Sequence, residues 1–138
     1  MKQSSWLSNI IKNKLHYIAT NNYICMKYFE VDLLKDAEDF INGLDIDTRK
    51  KVYYCIGLAQ MTKDPELFKK LSGTEIWEFR ILYKRTKYRL FAFWDSKRNS
   101  YVVCTHGIIK KTDKTPQKEI DKAEKIRIKY NEHYERSI

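Results

Sequence analysis

Arg80 and Arg89 stand out chemically in this chain of 138 residues. Each lies near the middle of a segment in which apolar and polar residues alternate, and a hairpin turning around Lys84 and Arg85 sets the two nearly opposite each other. Two guanidinium groups on one sheet face repel unless an anion joins them. Phosphate is a natural one, because arginine offers it bidentate donors. His106 lies on a third alternating segment and is the acid or base best tuned to neutral pH. Lys110 and Lys111 follow at its end, and Lys69 and Lys70 precede the first segment. All of these could converge on one concave surface. Each also has a plain structural alternative. Arg80 could pair with Glu78 or Glu75, and Arg89 with Asp95. His106 could be a hydrogen-bonded sheet histidine, and Lys110 and Lys111 a solvated strand end.

Other chemistries lack the residues they need. His16, His106 and His133 are far apart, and no Cys-x-x-Cys or Cys/His cluster occurs, so a metal site is not expected. The four glycines are isolated, which excludes a phosphate-cradling glycine loop, and no Gly-x-Ser-x-Gly is present. No cofactor is implied. Cys25, Cys55 and Cys104 read as reduced, mostly buried thiols. No apolar run reaches the roughly 18 residues of a membrane span, and the N-terminus lacks a secretory pattern. The expected compartment is the cytoplasm.

The net charge is +9, and its distribution is uneven. Residues 69–111 hold eleven bases against three acids, whereas residues 26–68 hold six bases against nine acids. Such a patch concentrates polyanions. Because its charges interleave with aromatics, nucleic acid is a better reading than a merely solvated surface.

The elements that must position these residues can be read from periodicity. Residues 1–25 carry Trp6, Ile10, Ile11, Leu15 and Ile18 at the spacing of a short amphipathic helix, broken at Asn21, Asn22 and Tyr23. They are either an extension ahead of a start at Met26 or a genuine extra helix. The domain proper is 26–138. It opens on a strand at 26–31. A helix over 33–41 is stopped by Gly43, and a second, capped by Asp45 or Asp47, runs to about Lys63 with Val52, Cys55, Ile56 and Ala59 on its buried face. Asp64-Pro65 turns the chain, and 67–71 reads as a short basic connector. Strands over 75–83, 86–94 and 101–109 form an antiparallel meander. Trp77, Phe79, Trp94, Tyr88 and Tyr101 are core or edge residues. Thr115 as N-cap and Pro116 at the first helical position start a last helix, with Ile120, Ala123, Ile126 and Tyr130 as its stripe. The fold class is α+β: an antiparallel sheet, formed by an N-terminal strand and the meander, packed on a helical hairpin, with a C-terminal helix.

Taken in order, Leu67-Phe68-Lys69-Lys70-Leu71, Ile76-Trp77-Glu78-Phe79-Arg80-Ile81, Tyr88-Arg89-Leu90, His106-Gly107-Ile108-Ile109-Lys110-Lys111-Thr112, Lys114-Thr115-Pro116 and Glu119-Ile120 with Ala123 resemble the HigB-like, phage-derived branch of the RelE/ParE toxin superfamily. The likeness spans about Met26 to Tyr134 and leaves residues 1–25 outside it. It implies a RelE-like fold and a toxin of a type II toxin–antitoxin pair. Such a toxin cuts mRNA in the ribosomal A site without a metal and is neutralised by a helix-turn-helix antitoxin, whose complex with it can bind operator DNA. In that chemistry the 2′-OH of the message attacks the adjacent phosphate, leaving a 2′,3′-cyclic phosphate and a 5′-OH. Arg80 and Arg89 would stabilise charge. His106, Lys110 and Lys111 would move protons or bind phosphate, and Lys69, Lys70, Arg85 and Lys87 would contact RNA or ribosome. Two other readings compete: a gyrase inhibitor without nuclease activity, as on the ParE side, and a non-toxic nucleic-acid-binding module.

Overall fold

A computed structural model describes residues 27–136, with side chains described through His133. The expectations for residues 1–25 and for Met26 lie outside the described residues.

The elements run β1 (Glu30–Leu33), α1 (Lys35–Asn42), α2 (Ile46–Thr62), β2 (Phe68–Lys70), β3 (Trp77–Tyr83), β4 (Thr86–Trp94), β5 (Tyr101–Lys110) and α3 (Gln117–Arg136). The five strands form one sheet in the order β1-β5-β4-β3-β2. The class is α+β, as the periodicity implies. Two details differ from the expectation. The N-terminal strand pairs parallel with β5, Glu30 opposite Tyr101, because side-chain alternation encodes the faces of a strand and not the direction of its neighbour. The basic connector at 67–71 contains a strand: Phe68, Lys69 and Lys70 pair with Phe79, Glu78 and Trp77. Three residues give too little alternation to read, and exposed lysines are common on a short edge strand.

The alternation of β3 and β4 splits the core between the two sheet faces. Phe79, Ile81, Leu90 and Ala92 pack with Val52, Ile56 and Ala59 of α2 and with Ala37 and Ile41 of α1. On the other face Phe91, Phe93 and Val103 meet Ile76 and Ala123 of α3. Asp45 caps α2 by accepting from the Thr48 amide at 2.9 Å, and Gly43 follows α1. The start of α3 differs from its expectation. The Thr115 hydroxyl leaves the helix end and reaches the Glu78 carboxylate at 3.3 Å. The Pro116 carbonyl takes the first helical bond, from the Glu119 amide at 3.0 Å. An acceptor far away in sequence has displaced the local cap.

A candidate anion site on the sheet

Register places the candidate residues. Arg80 of β3 is directly opposite Arg89 of β4. Across the β4–β5 ladder, Lys87 faces Lys110, Arg89 faces Ile108, and Phe91 faces His106. A shift between Phe91 and Ala92 leaves Thr105 as an extra residue in β5. This bulge reverses the alternation of β5. Cys104 packs with the helical hairpin, and regular alternation would send His106 the same way. The bulge instead turns His106, Ile108 and Lys110 onto the face of Arg80 and Arg89. A single sequence carries no mark of it. Gly107 consequently faces the hairpin. A Cβ there would come within 2.2 Å of the Phe40 ring, so glycine is required by close approach.

At the centre, the Glu78 carboxylate lies 3.8 Å from Arg80 Nε and 3.7 Å from Arg89 Nε. Glu78 and Arg89 are buried, each only 4 % exposed. The contacts are ion pairs without hydrogen-bond geometry: both Nε–H groups are buried and without a hydrogen-bond partner. The Arg89 guanidinium also donates from Nη1 to the Tyr88 carbonyl at 3.1 Å. Burial works against the Arg89 charge, Glu78 supports it, and Arg80 opposes it. The Lys110 ammonium is held below the ordinary lysine range, first by burial and then by Arg89, with Glu78 acting the other way and Lys87 and Arg80 adding to the depression. One carboxylate thus serves three cations. Two buried Nε–H donors are ion-paired to Glu78 but lack a hydrogen-bond acceptor, a need that a further anion could meet.

The remaining candidates are spread out. By register Lys69 shares the Glu78 face, while Lys70 is paired with Trp77 and points to the opposite one. Lys111 is exposed beyond the end of β5. Arg85 is exposed in the β3–β4 turn. His106 is 3 % exposed, with its Nε2 2.8 Å from Glu119 Oε2 and its Nδ1 2.9 Å from the Thr105 hydroxyl. Its ring stacks on Phe91, centroids 4.9 Å apart. Burial is the main influence and lowers its pKa, against the raising effect of the Glu119 bond. His106 therefore clips α3 to the sheet rather than opening to solvent. The sequence alone offers Glu78 only as a possible partner for Arg80. Its place between the two arginines follows from its i, i+2 spacing to Arg80 and became visible only with the register.

At the far end of the sheet Arg98 has its own anions. It bonds Asp32, donates to Asp95 at 3.0 Å and lies over the Tyr101 ring at 4.2 Å. Tyr130 of α3 donates to Asp95 at 2.7 Å. Asp95 is thus the partner of Arg98, and Arg89 has Glu78. Among the described residues no three His, Cys, Asp or Glu side chains are grouped to hold a metal. No helix among them is long and apolar enough to cross a membrane.

No curated protein matches the chain. A family model does: it describes phage derived protein Gp49-like chains (DUF891) and matches residues 39–127. That span takes in α2, the meander with the arginine pair, and the first half of α3. The chain therefore belongs to the Gp49-like phage-derived family, which is associated with RelE/HigB-like toxins.

Proposed function

We propose that this protein is a toxin of a type II toxin–antitoxin pair that cuts translated mRNA by in-line attack of the message's own 2′-OH. The observation that carries this reading is the opposed Arg80–Arg89 pair, with two buried, unpartnered Nε–H donors and a single carboxylate between them. A scissile phosphate gains charge as its phosphorane forms, and fixed donors in a water-poor site stabilise that charge most. Lys110 lies on the same face with its pKa lowered by burial and neighbouring cations. It is the group we assign to protonating the leaving 5′-oxygen, while the proton of the attacking 2′-OH passes to solvent water. His106 acts by holding the start of α3, and with it the Thr115–Glu78 contact, against the sheet. Lys69, Arg85, Lys87 and Lys111 would bind RNA or ribosome around this centre, with Lys70 on the outer edge. A helix-turn-helix antitoxin would neutralise the protein in the cytoplasm.

The test compares wild type with Arg89→Ala and Lys110→Ala. Expression of the wild type should arrest growth and cut a reporter message in a translation extract, with the same RNA cut far less when free. Each variant should lose about 100-fold or more in cleavage rate. Arrest with intact message and a DNA-damage response would favour gyrase inhibition instead. Harmless expression without any antitoxin would favour a non-toxic binding module.

A further inference from the structure

Two residues at the tip of the β3–β4 hairpin hold a backbone conformation that their side chains disfavour. Lys84 has φ of 48° and Arg85 of 63°. Tyr83 pairs with Thr86, so the loop has two residues. In two-residue hairpin loops of type I′ both central positions have positive φ, and Asn-Gly fills them readily. A lysine and an arginine do not. Strain of this kind persists where the surrounding structure enforces it and gathers at functional sites.

The residues flanking the tip share the face of the arginine pair. Leu82, opposite Lys87, is 62 % exposed, and Lys87 in turn faces Lys110. These positions lie one row beyond Arg80 and Arg89, roughly 7 Å along the strands. The two strained residues differ in their company. The Lys84 ammonium sits 5.3 Å from the Tyr83 ring, and its charge acts on Asp45 at the start of α2. Arg85 is exposed and, among the described residues, forms no ion pair.

We propose that Leu82, Arg85 and Lys87 form a docking surface for the RNA strand beyond the arginine pair. Arg85 and Lys87 take its phosphates, and Leu82 gives an apolar rest for a base. The hairpin keeps arginine where glycine would be more stable because the guanidinium is used. An exposed apolar side chain between cations fits a nucleotide, which is apolar on its base face and anionic at its phosphate. The identity of the strand as RNA rests on the reading above.

The probe is a single-stranded 2′-O-methyl oligoribonucleotide, which has no 2′-OH to attack, so binding is read without cleavage. Arg85→Gly, Lys84→Asn and Lys63→Gly each relieve a left-handed residue. Lys63, φ 53°, closes the far end of α2, roughly 25 Å along the helix from its Asp45 cap. All three variants should melt higher than wild type by about 2 °C or more. Only Arg85→Gly should also weaken RNA binding, by about fivefold or more, with the log–log salt slope flatter by about 0.7. Leu82→Ser should weaken binding with the slope unchanged. Lys84→Asn and Lys63→Gly should bind like wild type. An Arg85→Gly variant that melts higher yet binds RNA unchanged would overturn the proposal, as would equal weakening by all three glycine or asparagine variants. Loss of an antitoxin partner with RNA binding intact would also overturn it, in favour of a protein partner. This pattern in a protein that cuts no message would leave the docking surface standing and remove the cleavage reading alone.

Discussion

Lys110 owes its depressed pKa to burial and to the cations around it, which makes its role testable by pH. A lysine that donates a proton to the leaving oxygen must be an ammonium, so cleavage should fall on the alkaline side below the ordinary lysine value of 10.5. Lys87 is one of the cations that lower it. Lys87→Gln should therefore move the alkaline limb to higher pH, read in single-turnover rates. A limb that stays in place would assign the proton to another group. Glu78 invites a different measurement. Glu78→Gln leaves two opposed guanidinium groups with no anion, and we expect a loss of about 3 kcal/mol in urea melts. Inorganic phosphate should then raise the melting temperature of the variant more than that of the wild type, because the two guanidinium groups have lost the negative charge that Glu78 supplied and phosphate can replace it. An equal rise in both would separate the arginine pair from anion binding.

At the scale of elements, much of the arrangement was legible and one decisive part was not. The alternation of Trp77, Phe79 and Ile81 against Glu78 and Arg80 gives β3 and both its faces, and the Lys84–Arg85 turn gives the opposition of the two arginines. Asp45 and Gly43 mark the ends they bound. The bulge at Thr105 left no trace in composition, because any residue can be the extra one; yet it decides which face His106 and Lys110 occupy. β2 was hidden by its shortness, and the Thr115 hydroxyl by an acceptor 37 positions away in sequence. The bulge also fixes Gly107 against Phe40. Gly107→Ala should cost about 1–3 kcal/mol, and Phe40→Leu in the same chain should recover part of it. The clip between β5 and α3 has a pH signature. Burial lowers the pKa of His106 in the folded state, so the folded chain favours the neutral ring. That contribution is complete above an unfolded value of about 6.5 and is lost as pH falls through that value toward the lowered one. His106→Gln should flatten the fall in stability between about pH 7.5 and 5 in urea melts.

For the whole molecule, the charge sorts by position rather than by count. The bases of residues 69–111 are not one surface: Arg98 is held by Asp32 and Asp95 at one end of the sheet, while Arg80, Arg89 and Lys110 share one carboxylate at the other, with Lys87 opposite Lys110. The first group holds β1, the β4–β5 turn and α3 together. Burial works against the Asp95 charge, but hydrogen bonds from Tyr130, from the Arg98 and Lys97 amides and from the Arg98 side chain bring its pKa down to about 2. Its stabilising contribution is complete above about 3.9 and disappears as pH falls toward 2. The second group is left with charge that the fold does not balance, on a face that α3 covers only in part. The most direct test of its use is the chemistry of the cut ends in messenger RNA after induction. Wild type should leave 5′-hydroxyl ends matched by 2′,3′-cyclic phosphates on ribosome-bound messages, and Arg89→Ala should leave none above background. Intact messages under growth arrest, or ends carrying 5′-phosphate, would contradict cleavage by the message's own 2′-OH at this arginine pair.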